Sequence, residues 1–267
     1  MLFPDHLVVV RGGGDLGTGA VYRLHKAGLP VVVLELAAPL AIRRAVAVSS
    51  AVDDDEVEVE GMVAIRVDDS ADARSLAGNG TVAVMASPDL PDGLGPISAL
   101  VDARLAKRNL DTSIDQADVV VGLGPGFTAG VDCHAVVETN RGPHLGRVLW
   151  DGSAEPNTGV PGVMGGESAR RVVRAPVGGT VTWSGGIGDS AAAGEVIGQV
   201  ADEPITAGVD GVIRGLIAEG RRVEAGTKVA DIDPRGNPAA CFEISDKALA
   251  VGGGVLEAVL TRLDAAP

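Results

Sequence analysis

The opening stretch of the chain alternates between two hydrophobic periods. Leu7-Val8-Val9-Val10 is an unbroken apolar run, the form taken by a strand buried on both faces. Glycines follow, and from Asp15 to Ala27 the apolar residues fall at Leu16, Ala20, Leu24 and Ala27. That spacing predicts a helix, and Gly28 stands where a helix stops. Pro30 then leads into a second buried run, Val31-Val32-Val33-Leu34. Strand, helix and strand in close succession predict a βαβ unit with a right-handed crossover.

Farther along, residues 56–67 alternate polar and apolar positions around Gly61, which predicts a hairpin. Residues 81–86, 98–102 and 118–123 are further apolar runs that read as strands. With helical stretches between them they predict a mostly parallel α/β sheet in a domain spanning 1–168. Residues 172–234 have a different grammar, rich in Gly, Val and turn residues. Gly179 matches Gly211, Val181 matches Ile213, Gly188 matches Gly220, Gly194 matches Gly226 and Val200 matches Ile232, each 32 residues apart. Two short halves that cannot bury their own apolar faces must pack together, so a small β-sandwich with pseudo-twofold symmetry is expected. Residues 235–267 form a C-terminal segment whose run Val255-Leu256-Glu257-Ala258-Val259-Leu260 predicts a helix docked on one of the two domains.

Composition narrows the classes. The chain is 46% hydrophobic and 22% charged with mean hydropathy +0.25, which supplies a core and argues against disorder. Aromatic residues make up only 2%, too few to stack on nucleic-acid bases. A net charge of −14 repels phosphate backbones and anionic lipid over the average surface. No nucleic-acid or membrane partner is expected. Cys133 and Cys241 form no CxxC pair and read as free thiols, and no metal framework is evident. The apolar run before Arg11 is too short for a signal peptide, and a cytoplasmic protein is expected.

Candidate chemistry gathers at strand ends. Gly12, Gly14 and Gly17 fit G-x-G-x-x-G, with Gly13 inside the motif, between a predicted strand and a predicted helix. Glycine there lets the backbone turn tightly and approach a pyrophosphate, while the helix start supplies unpaired N–H groups. Glu35, at the end of the second strand, is placed to accept hydrogen bonds from ribose hydroxyls. Gly-Leu-Gly-Pro-Gly-Phe at 122–127 is a second glycine loop, in which Gly124 and Gly126 flank Pro125. It reads either as an anion-holding concavity or as an ordinary turn. Just beyond it, His134 and Glu138 would share a helix face as base and orienting carboxylate. Cys133 would be a nucleophile or group carrier, or else a small buried residue. Arg104, Lys107 and Arg108 stand out in an acidic chain as a clamp for phosphate or carboxylate, or as a solvated face. These motifs predict a Rossmann-like domain with two glycine loops.

The strings VVVRGGGDLGTG, VDARLAKRNLDT, GLGPGFTAGVDCHAVVETNRG and ISDKALAVGGGVLEA resemble the accessory proteins of the selenium-dependent molybdenum hydroxylase system, related to xanthine dehydrogenase maturation proteins. The resemblance implies an accessory role, with an immature molybdenum hydroxylase apoprotein as partner. It implies a nucleotide-containing ligand, NAD(P) or a molybdopterin-type cofactor, at Gly12, Gly14 and Gly17. Gly124, Gly126, Cys133 and His134 would be the family's own site. Residues 172–234 separately resemble the biotinyl/lipoyl-type barrel-sandwich hybrid, through APVGGTV and GVDGVI. The junction Ala201-Asp202-Glu203-Pro204-Ile205 lacks the carrier lysine of that family, so a swinging arm is not expected. Two other readings remain open from the residues, an NAD(P)-dependent oxidoreductase using His134 and a non-catalytic scaffold.

Overall fold

In the computed structural model, residues 1–157, 159 and 162–263 are described. They form two compact units: Met1–Ala37, Val48–Asn157 and Ile244–Pro267 make the first, and Ala38–Ala47 with Thr158–Glu243 the second. These boundaries differ from the expected 1–168, 172–234 and 235–267. Segment 38–47 joins the second unit, where the backbone of Ile42 lies against Gly215. The end of the chain returns to the first unit. Residues 264–267 of that expected segment lie outside the described residues.

The first unit is α/β. Its strands are β1 (Val8–Arg11), β2 (Val31–Leu34), β3 (Glu56–Val59), β4 (Met62–Arg66), β5 (Val82–Met85), β6 (Ala99–Asp102), β7 (Val119–Leu123), β8 (Ala135–Val137) and β9 (Val148–Leu149). Its helices are α1 (Asp15–Lys26), α2 (Ala51–Asp54), α3 (Ser70–Gly78) and α4 (Asp246–Leu263). The nine strands form one sheet in the order β3-β4-β5-β2-β1-β6-β7-β8-β9. Pairing is parallel from β4 through β8, and β3 and β9 are antiparallel edges. The β5-β2-β1-β6-β7-β8 run places β1 in the middle, with the chain filling one side and then the other. A doubly wound sheet of this order has its switch point between β1 and β6. The interior strands are apolar except for Arg11 and Asp102 at the carboxyl ends of β1 and β6, because both faces are covered; every residue of β1, β2, β5, β6, β7 and β8 is buried.

The predicted βαβ unit and the 56–67 hairpin appear where the pattern placed them, with Glu60 and Gly61, both at positive φ, at the hairpin tip. Helix α4 runs well beyond the expected 255–260. It packs on α1 and on β7, β8 and β9, so the docking helix belongs to the first unit. Its contact with α1 is backbone to backbone. A Cβ on Gly19 would overlap the carbonyl of Ala248, and one on Gly252 would overlap the carbonyl of Gly19.

The second unit carries two four-stranded antiparallel sheets. Its strands are β10 (Val172–Arg174), β11 (Gly179–Trp183), β12 (Ser190–Ala191), β13 (Val196–Val200), β14 (Glu203–Thr206), β15 (Gly211–Leu216), β16 (Arg222–Val223) and β17 (Lys228–Asp233). The sheet orders are β10-β17-β15-β12 and β14-β13-β11-β16. Moving each strand by 32 residues turns β10, β11, β12 and β13 into β14, β15, β16 and β17, and so turns one order into the other. The two halves of the repeat are therefore interleaved, each sheet taking strands from both. Their inner faces share one core that includes Val181, Ile197, Val200, Ile213, Val229 and Ile232.

The close approach of α1 and α4 yields the first prediction. Gly19→Ala adds helix propensity worth roughly 1 kcal/mol, yet its methyl group must push two backbones apart, an overpacking cost of about 1–3 kcal/mol or more. Denaturant unfolding is expected to show a net loss of stability. A neutral or more stable variant would mean that the helices are not in backbone contact.

Candidate functional site

The carboxyl ends of β1, β2 and β6 meet the glycine loop. Gly12 turns the chain at φ +97° and donates its N–H to the Leu34 carbonyl at 2.8 Å. A Cβ at Gly12 would press on the backbone of Ala103, and one at Gly17 would overlap the Gly12 carbonyl, so both glycines are required by packing. Gly14 is different. It precedes α1 at an ordinary extended φ of −71°, no side chain caps the helix there, and an added Cβ would meet nothing within 4 Å. The Gly13 carbonyl is held by the Ser49 N–H and the Thr18 hydroxyl, both at 3.0 Å, and the same hydroxyl accepts the Val48 N–H at 3.0 Å.

Glu35 ends β2 against this loop. Its carboxylate accepts the Gly13 N–H at 2.7 Å and the Leu36 N–H at 2.8 Å. Burial raises the carboxyl above its ordinary pKa, and the two amide hydrogen bonds work in the opposite direction. Each carboxylate oxygen makes one of these bonds and keeps capacity for another donor.

Between β1 and β6 lies an ion network that the sequence reading did not anticipate. Arg11, only 2% exposed, grips Asp111 with two N–H···O bonds of 2.8 Å and also donates to the Pro88 carbonyl at 3.1 Å. Arg104 bonds Asp102 at 2.5 Å and Asp111 at 2.6 Å, and the Thr112 hydroxyl donates to Asp102 at 2.6 Å. The hydrogen bond from Arg11, with help from Arg104, holds the Asp111 carboxyl down at about 2. Arg104 is thus engaged by carboxylates of its own chain, which corrects its role in the expected phosphate clamp. Lys107 and Arg108 stay exposed.

The second glycine loop is filled by the protein itself. A Cβ at Gly122 would meet the Phe127 ring, one at Gly124 the Thr139 side chain, and one at Gly126 the backbone of Arg108. Close packing within the chain accounts for these glycines without a ligand. The cluster beyond it also differs from expectation: residues 135–137 are strand β8, not helix. His134 precedes the strand, where its ring Nδ1 accepts the Val120 N–H at 2.9 Å, and Glu138 follows it at the opposite edge of the sheet. Burial lowers the His134 pKa, with Arg262 adding to the effect. Glu138 is buried, accepting the Asn140 N–H at 2.6 Å and the Glu155 N–H at 2.7 Å. His134 and Glu138 are therefore not brought together as base and orienting carboxylate. Cys133 is fully buried, and burial pushes its thiol up to about 11, opposite to what a nucleophile needs.

Two further cations were missed. Arg141 follows β8 and bonds Asp246 at 2.9 and 3.1 Å, while Lys247 lies in the first turn of α4. They sit some hundred residues apart in the chain, and no local spacing links them. Among the described residues, no group of His, Cys, Asp and Glu side chains is placed to hold a metal ion. No helix there is long and apolar enough to cross a membrane.

No protein-family model matches this chain. It is 47% identical over 267 residues to the uncharacterized protein YqeB of Escherichia coli strain K12, a match covering 97% of the chain. The chain spans 49% of that relative's length. Among solved structures it is similar to a succinylglutamate desuccinylase/aspartoacylase from Rhodobacter sphaeroides, at 24% identity over 25% of this chain and 22% of that one, with TM-score 0.23. An aspartoacylase family protein from Mesorhizobium loti matches at 11% identity over 85% and 84%, with TM-score 0.26. Superpositions this poor transfer no residue or activity. The resemblance to molybdenum hydroxylase accessory proteins is thus corrected: the sequence match is to an uncharacterized protein, and no family model ties the chain to that system. The maturation role, with its selenium and its hydroxylase partner, is withdrawn. The oxidoreductase and scaffold readings gain no support either.

Two predictions follow from the geometry. Cys133 in the folded protein is expected to resist iodoacetamide at pH 8 and to react only in denaturant, as mass spectrometry would show; rapid labelling of native protein would contradict its burial. Asp111→Ala is expected to cost about 1–2 kcal/mol at pH 7, because the buried Arg11 guanidinium loses a carboxylate that is itself half-exposed and screened by solvent. Asp111 has a lowered pKa, so its contribution is present above about 4 and fades as pH falls toward about 2. Denaturant titration at several pH values would show the gap between wild type and variant narrowing in acid.

Proposed function

We propose that the first unit binds a nucleotide-containing ligand of the NAD(P) class at the carboxyl edge of its parallel sheet. The observation that carries this is the division of labour in the glycine loop. Gly12 and Gly17 are consumed by packing, whereas Gly14 is open to its surroundings at the start of a twelve-residue helix. In a doubly wound sheet that spare room is where a diphosphate meets the helix amides. Glu35 stands one hydrogen bond from the same loop, with oxygen capacity left for ribose hydroxyls. The proposal concerns binding; hydride transfer and enzyme maturation form no part of it.

For the second unit we infer a barrel-sandwich hybrid of the biotinyl/lipoyl type without its carrier. The interleaved sheets support this, and Ala201 and Asp202 at the β13–β14 turn offer no lysine to modify.

Gly14→Val tests the nucleotide reading. Because a Cβ there is unopposed and φ is ordinary, the variant should fold and melt as wild type does. Its affinity for NADH and ADP-ribose, measured by calorimetry, should fall at least about tenfold, or 1.4 kcal/mol. Unchanged affinity in a folded variant would refute the site.

A further inference from the structure

The loop that follows β6 lies at the switch point beside β1 and is fixed at both ends. A Cβ on Gly12 would lie between 2.9 and 3.1 Å from the backbone of Ala103 and Arg104, and one on Gly126 would lie 2.6 Å from the backbone of Arg108. Both glycines have positive φ, +97° and +115°, so the two glycine loops seat the two ends of this one segment. The Asn109 side chain fastens it further, donating to the Thr112 carbonyl at 2.8 Å and to Asp132 at 3.0 Å. Between these anchors Leu105 and Lys107 hold φ of +55° and +64°, which residues with side chains rarely adopt, and Ala106 between them does not. No main-chain N–H from Leu105 through Arg108 meets an acceptor among the described residues. The exposed side chains of Lys107 and Arg108 make no ion pair or hydrogen bond there either.

We propose that residues 105–108 form a site for an oxyanion, the phosphate or carboxylate group of a small ligand, at the crevice beside β1 and β6. Alternation in the sign of φ turns successive N–H groups toward one side, the main-chain arrangement that cradles anions. Lys107 and Arg108 add two neighbouring cations at the rim, in a chain of net charge −14. Arg11 and Arg104 are already balanced by Asp102 and Asp111, so nothing in that network cancels the pair. Strain at a leucine and a lysine, in a chain that places glycine so freely in the loops on either side, is the kind of cost kept where a fixed shape is needed. Crevices at this end of a doubly wound sheet are where ligands bind. The site is independent of the nucleotide reading. Its oxyanion comes either from a second small molecule or from a phosphate of the ligand at Gly14, and titration separates the two sources.

Amide NMR spectra of the isotope-labelled full chain, titrated with inorganic phosphate, acetate and chloride at equal ionic strength, read the site directly. The signals of residues 105–108 are expected to move saturably with phosphate or acetate and not with chloride. An equal drift in all three salts would overturn the proposal. Lys107→Asn combined with Arg108→Gln removes both charges, and asparagine tolerates positive φ. That variant should melt within about 2 °C of wild type and bind the anion about tenfold more weakly; wild-type affinity would overturn the site. Lys107→Gly relieves the strained φ and keeps every N–H, so it should melt no lower than wild type and still bind more weakly. If ADP moves these signals in wild type but not in Gly14→Val, the oxyanion is the nucleotide's own phosphate. If inorganic phosphate moves them equally in both proteins and ADP in neither, a second ligand supplies it. Unchanged NADH affinity in Gly14→Val removes the nucleotide reading alone and leaves the phosphate result standing.

Discussion

Main chain resting directly on main chain is the constraint from which the first unit is built. Gly17 lets the start of α1 lie on the Gly12 carbonyl, and Gly12 lets the loop lie on Ala103 after β6. Gly19 and Gly252 let α4 close onto α1. Every one of these contacts would be forced open by a single methyl group. Together they fix where α1 begins relative to the sheet, and so where its first N–H groups point. The open position at Gly14 has meaning only because its neighbours are so tightly bound.

Electrostatics around Arg11 at the same edge is settled within the chain. Arg11 and Arg104 are tied to Asp102 and Asp111 in a network at the carboxyl ends of the paired strands β1 and β6. A buried guanidinium is tolerable there because its donors are aimed at a carboxylate in bidentate geometry.

The second unit solves a different problem. Short strands cannot form a core in either half alone, so the halves exchange strands. The pairing of β10 with β17 and of β12 with β15 joins residues from opposite ends of the repeat. Glycines at positive φ recur at matched turns, Gly188 with Gly220 for instance, because the repeat needs the same bends in both halves.

Local pattern alone determined much of this protein. The buried β-branched runs, the first helix and its Gly28 stop, the hairpin around Gly61 and the 32-residue repeat all depend on interactions within a few residues or on a period visible along the chain. The strand β8 was missed because three residues leave no period to detect, and with it fell the supposed helix face shared by His134 and Glu138. Burial of Cys133 also lay beyond reach, since a thiol's protonation depends on what surrounds it. The tertiary structure alone decided which glycines are filled and which is open, and that Asp111 takes Arg104 away from any ligand. Those outcomes turn on distances between segments far apart in the chain, and charge and packing act through space rather than along the sequence.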